Sequence, residues 1–193
     1  MSDSLLQLIV LFFVIFDPFA SFVVFFVATN KMKPAERTKT ALMGVGVAAA
    51  VSLAVLFLGQ KLLEVFSTKL TDFEVAGGII LILLGIKMAL GDSLMHVDKM
   101  EGDSTAAVAA LIGTPLLTGP AVITAILIST HNNGIALTGL SILIVLVFTL
   151  VLFLNAALVH KKMGKPVVQV ISTILGLITL AWGVKYIRLG LGI

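Results

Sequence analysis

A single carboxylate stands in the middle of the first long apolar run of this sequence. Asp17 is flanked by Phe16 and Pro18, with apolar residues extending to both sides. At the centre of a bilayer a charged side chain costs about 2.5–3.5 kcal/mol on insertion scales, so such a group must face a bundle interior or water. Pro18 lacks an amide hydrogen and clashes with the preceding turn. Asp followed by Pro is also how a helix commonly begins, with Asp as N-cap and Pro at the first helical position. The pair predicts a span that breaks at Asp17.

A second run carries the same device. Gly113, Thr114, Pro115, Thr118, Gly119 and Pro120 place two glycines and two prolines within eight residues at mid-span. An unbroken helix does not fit there, and Thr118 or Gly119 can cap a half-helix that begins at Pro120. Each half-helix N-terminus carries roughly half a positive charge. Two of them meeting near the midplane form a site for a carboxylate or another anion. Asp17 adds a negative charge that can face an ammonium group or take up a proton. Ser21, Thr114, Thr118 and Thr124 supply hydroxyls, and no Arg or Lys lies deep in either run. A small zwitterion fits this inventory best. The plainer alternative is that Asp17, Pro18 and Pro120 only cap and kink helices, but an ionisable group inside a membrane argues for function.

Other chemistry finds less support. Asp92, His96, Asp98, Glu101 and Asp103 read as a solvated loop rather than a metal site. His131 and His160 flank turns and lack zinc-ligand spacing. Asn155 is expected to hydrogen-bond across helices, and Trp182 and Tyr186 to anchor an interface or pack. Lys87 and Lys185 are expected to snorkel to the interface. Ser52 and Ser172 have no intramembrane His or Lys partner, the H-E-x-x-H pattern is absent, and no cysteine is present. An enzyme is therefore not expected, nor a resident cofactor.

The elements that must position Asp17 follow from composition. Of the 193 residues, 59% are hydrophobic and 12% charged, with a mean hydropathy of +1.17. Soluble domains carry about 25% charged residues, so lipid must be part of this chain's solvent. The net charge of +3 comes from residues set in loops between apolar runs. Membrane lipid rather than nucleic acid is the partner this implies. The first run, after Met1-Ser2-Asp3-Ser4, lacks the basic stretch of a signal peptide and reads as a retained span.

Six stretches are long enough to cross a bilayer as helices: about 4–28, 38–60, 73–91, 105–130, 134–159 and 166–190. Continuous apolarity without alternation argues against a β-barrel. The turn His131-Asn132-Asn133-Gly134 predicts a tight antiparallel hairpin, and His160-Lys161-Lys162 a polar loop. Lys31, Lys33, Arg37, Lys39, Lys99, Lys161, Lys162 and Lys165 gather in alternate loops. The positive-inside rule puts those loops in the cytoplasm and both termini outside.

An internal repeat links span three to span six. Gly78, Ile80, Gly85 and Lys87 recur as Gly176, Ile178, Gly183 and Lys185, and Asp17-Pro18 corresponds to Gly119-Pro120 at nearly the same offset. Three spans per repeat is odd, so the second half enters from the opposite side, the inverted arrangement of many secondary transporters. The expected fold is an all-α membrane protein of six transmembrane helices in two inverted three-helix repeats. It forms one transmembrane domain over 1–193, with repeats of about 1–92 and 104–193 and spans one and four broken near the midplane.

These motifs carry a family resemblance. Asp17-Pro18, the Ala76-Gly77-Gly78 stretch after a polar loop, and Pro115 through Thr124 together resemble the MarC family of prokaryotic inner-membrane proteins, over nearly the whole chain. The resemblance implies a six-helix fold of the LysE-like transporter type and transport of neutral amino acids such as glycine and alanine. The family's first element reads approximately D-P-x-G-N-x-P-x-F. Here Asp17, Pro18 and Phe25 match, whereas Ala20, Ser21 and Val23 replace the glycine, asparagine and second proline. Ala121 stands where a second glycine is usual.

The sequence thus points to a secondary transporter of small neutral amino acids in a prokaryotic plasma membrane. Asp17, Pro18, Ser21, Thr114, Thr118, Gly119, Pro120 and Thr124 would form the site, with a proton or sodium ion as the coupling partner. A cation or metal transporter centred on Asp17 and a non-transporting membrane scaffold are the alternatives.

Overall fold

The structure is a computed structural model that describes residues 2–65, 67–90 and 105–193. Helices α1 (Ser2–Phe16), α2 (Pro18–Thr29), α3 (Pro34–Val65), α4 (Leu70–Leu90) and α5 (Thr105–Leu111) are followed by a π-helical segment (Ile112–Leu117). Helices α6 (Pro120–Leu154) and α7 (Ala156–Leu191) complete the chain. Among the described residues there is no strand.

Local chemistry sets the helix starts. Pro18, Pro34 and Pro120 each open a helix, where the missing amide hydrogen has no partner to lose. Lys33 N–H donates to the Glu36 carboxylate at 3.0 Å, and Lys69 N–H to Asp72 at 2.9 Å. Each acid, three residues on, thus ties down the residue that precedes its helix. At the far end Gly192 takes a left-handed conformation, φ 72°, and stops α7.

Five helical stretches are long and apolar enough to cross a membrane: Ser4–Thr29, Pro34–Gly59, Leu70–Leu90, Pro120–Leu154 and Gln169–Leu191. The stretch Pro120–Leu154 takes in the later part of one sequence-predicted span and most of the next, and it is not straight. Gly134 inside it has φ 81° and ψ 164°, a backbone region open essentially to glycine alone. Gly59 packs on Leu127, and Leu56 on the same turn of α3 packs on Gly139. Residues 127 and 139 would lie about 18 Å apart on a straight helix, so the chain doubles back at Gly134. The four-residue turn expected from 131 to 134 is compressed to that one residue.

At the other end of the bundle the expected polar loop is absent. After Leu154 only Asn155 departs from helical geometry, and α7 runs from Ala156 through residues 160–166. A basic stretch need not leave the helix once it leaves lipid, because Lys is a good helix former. Asn155 also differs from expectation: its side-chain amide donates to Val151 O at 2.8 Å, four residues back, rather than across helices.

The most extensive helix pairing joins α4 and α7, and glycines make it. A Cβ on Gly78 would stand 2.6 Å from the Gly183 carbonyl oxygen, and one on Gly85 would stand 2.7 Å from that of Gly176. The two helices therefore run antiparallel with their backbones in near contact. Exchanging each residue of the Gly78/Gly183 pair for its repeat counterpart returns the Gly176/Gly85 pair, so the interface maps onto itself.

The inside is aromatic. Phe12, Phe16, Phe22, Phe25 and Phe153 are fully buried, and the Phe25 and Phe153 rings stack at 4.4 Å. Outward faces are apolar too: Phe57, Leu83, Leu143, Val147, Val170 and Leu177 are exposed. Such a surface is far larger than the apolar patches a soluble monomer carries, and acyl chains are the solvent it suits.

Candidate functional site

The first break is built on Asp17. It separates α1 from α2 with a left-handed backbone, φ 40° and ψ 71°, a region that Asp tolerates better than most side chains. Oδ1 accepts the Ala20 amide at 3.2 Å, and the Asp17 carbonyl accepts the Ser21 amide at 3.0 Å. Asp17 therefore caps the half-helix that begins at Pro18. The residue is 4% exposed, yet Oδ2 has no hydrogen-bond partner. A buried acceptor left in this state costs about 1–3 kcal/mol, and more when charged. Ser21 turns its hydroxyl to the Phe16 carbonyl at 3.2 Å, spanning the break from the other side.

The second break is built differently. The π-helical segment widens the chain at Gly113–Pro115, a device that recurs at functional sites. Thr118 and Gly119 then leave the helix before Pro120 restarts it. Thr118 does not cap forward as one of the two expected caps would. Its hydroxyl donates back to the Gly113 carbonyl at 2.6 Å and closes the π-helical segment. Gly119 is the N-cap, with no side-chain cap hydrogen bond. Thr124 also turns back, donating to the Pro120 carbonyl at 3.0 Å. Thr114 lies on the π-helical segment, and its side chain is outside the described residues.

Packing brings the two breaks onto touching elements. Helix α2 contacts both the π-helical segment and α6, and Phe16, Leu117 and Ala121 share one buried cluster. Among the described residues, no hydrogen bond links Asp17 to Thr118, Gly119, Pro120 or Thr124. The arrangement offers two unlike ends. One half-helix carries its own carboxylate, and the other presents an uncapped N-terminus.

A polar group that sequence reasoning did not single out lies farther along α6. Glu74, on α4, is buried. Near it stands Tyr186, whose hydroxyl shares a hydrogen bond with that of Ser129. Tyr186 and Ser129 are also buried, so Tyr186 packs in the core rather than anchoring an interface. An acid just inside the span that begins at residue 73 was the available signal for Glu74. Among the described residues no cluster of three His, Asp or Glu side chains gathers for a metal ion. The loop with Asp92, His96, Asp98, Glu101 and Asp103 lies outside them.

Comparison with known proteins agrees with these features. Residues 2–192 match the family described as MarC family integral membrane protein. A UPF0056 membrane protein of Methanocaldococcus jannaschii is 30% identical over 187 residues, covering 93% of this chain and 91% of the relative. The UPF0056 inner membrane protein YhgN of Escherichia coli K12 is 25% identical over 178 residues, covering 91% and 90%. No solved structure matches the chain. With its apolar helices, its Asp-Pro break and a family match along nearly its full length, this chain is an integral membrane protein of the MarC family.

Proposed function

We propose that this protein is a secondary transporter of small neutral amino acids of the glycine and alanine class. The observation that carries the reading is the Asp17 carboxylate, buried at a helix break with Oδ2 unpartnered. Because Oδ1 already caps α2, the substrate carboxylate does not sit at that N-terminus. It sits at the uncapped start of α6 near Gly119 and Pro120, where amide hydrogens and the helix dipole favour negative charge. The free Oδ2 then faces the substrate ammonium, or binds the coupling proton or sodium ion. Ser21, Thr118 and Thr124 would line the space between, with Thr114 on the adjoining π-helical segment. Small side chains suit this site because the surrounding wall is packed phenylalanine.

Counting the two arms of α6 separately gives six crossings, and the exchange symmetry of the α4–α7 glycines supports two inverted three-helix halves. Rocking of one half against the other would expose the site alternately. The basic residues Lys31, Lys33, Arg37 and Lys39 lie at the end of the bundle opposite the N-terminus. This supports an orientation in a prokaryotic plasma membrane with both termini outside.

A thermal-shift titration of the purified protein with glycine, alanine and divalent cations tests the assignment. The reading expects amino acids to raise the unfolding temperature in wild type and not in Asp17→Asn. Stabilisation by cations alone would transfer the site to cation transport, and a response to neither would leave a scaffold.

A further inference from the structure

A cavity of about 110 Å³ opens at the end of the bundle that holds the N-terminus and the Gly134 turn, between α1, the first arm of α6 and α7. A liquid water occupies about 30 Å³, so the space suits a few waters or one small zwitterion. Gln7, Asn132 and Asn133 supply amides, Ser129 and Tyr186 hydroxyls, and Lys185 an ammonium; no carboxylate is among the described lining residues. Lys185 is exposed, as a snorkelling lysine is. Its Nζ lies 5.5 Å from the centroid of the Trp182 ring, which forms part of the same wall.

The floor of the cavity is the buried Ser129–Tyr186 hydroxyl pair. The Lys185 ammonium suits a carboxylate, and the amide and hydroxyl oxygens around it can accept from an ammonium group. Below the floor, Thr124 packs against Gly77, which lies one turn from Glu74 on α4. Asn133, Ser129 and Thr124–Ala125 succeed one another at helical spacing on α6 down to its uncapped start at Pro120. The cavity stands in line with the deep site.

We propose that this cavity is an outer capture site for small zwitterionic amino acids, with Lys185 holding the carboxylate above a floor made by Ser129 and Tyr186. The amino-acid class rests on the transport reading; the site itself rests on the cavity.

Trp182 is the only tryptophan in the sequence, so intrinsic fluorescence reports on this wall. Purified wild type, Lys185→Gln, Lys185→Arg and Asp17→Asn are titrated with alanine and with alaninamide, which lacks the carboxylate, while uptake is measured in proteoliposomes. The expected result is a saturable fluorescence change with alanine that persists in Asp17→Asn. It weakens about 3- to 10-fold in Lys185→Gln, returns in Lys185→Arg and is weaker by a similar factor for alaninamide. An unchanged affinity in Lys185→Gln, or a silent wild type that still takes up alanine, overturns the capture site and leaves transport standing. A Lys185-dependent response without uptake of any amino acid overturns transport and leaves the capture site. Silence in both assays overturns both.

Discussion

At Asp17 one carboxylate oxygen serves the fold and the other is left unpartnered. Oδ1 closes the start of α2, while Oδ2 is buried without a hydrogen bond. Substitution can separate these roles. Asn caps a helix about as well as Asp and tolerates the left-handed backbone, so Asp17→Asn should unfold within a few degrees of wild type in detergent while losing gradient-driven uptake. Asp17→Ala removes the cap as well and should cost a further ~1 kcal/mol of stability. A large loss of stability in Asp17→Asn would mean that the charge itself holds the fold. Thr118 gives a contrasting case, because its hydroxyl bonds to Gly113 rather than to the next helix. Thr118→Val should lower stability by about 0.5–1.5 kcal/mol, read as a lower unfolding temperature.

Helices differ in how plainly the sequence announces them. The breaks at Asp17-Pro18 and Gly119-Pro120 were legible because proline, Asp caps and glycine act on their own backbone, whatever packs around them. The helical stretch from Ala156 through Pro166 was not, since polarity there marks the edge of lipid rather than the end of a helix. The close approach of α4 and α7 was half legible: the repeated glycines stood out, but which carbonyls they meet depends on packing. Glycine substitutions test this level. Gly85→Ala places a Cβ against the Gly176 carbonyl and should destabilise by about 1–3 kcal/mol. Gly46, in α3, has open space around it, so Gly46→Ala should be neutral or stabilise by about 0.5–1 kcal/mol. Gly134→Ala meets no neighbour but keeps φ 81°, and should cost about 1–3 kcal/mol through backbone strain alone. Thermal unfolding of the three variants ranks them, and equal effects would contradict the packing described.

Across the whole molecule, the N-terminus, the turn at Gly134 and the junction of α3 with α4 share one end, and Lys31 with Lys33 lies at the other. The absence of cysteine makes this directly testable with single introduced thiols. Asn133→Cys and Lys69→Cys should react with an impermeant maleimide from outside intact cells, and Lys31→Cys only after lysis; the reverse pattern would invert the orientation. The outer polar group of Glu74, Ser129 and Tyr186 was illegible as a group. Its members come from three helices whose rotation about their axes is set by packing, and 112 residues separate the first from the last. The two helix breaks were legible for the opposite reason, since each is written in consecutive residues.

The central claim is that Asp17 and the uncapped start of α6 hold a small amino acid in transit. Its most direct test is uptake of labelled glycine and alanine into proteoliposomes, for wild type and Asp17→Asn, with and without proton and sodium gradients. The account predicts gradient-driven uptake by wild type that falls at least about 100-fold in the variant, the loss of about 2.7 kcal/mol of stabilisation. Full uptake by Asp17→Asn, or none by wild type under any gradient, would contradict it.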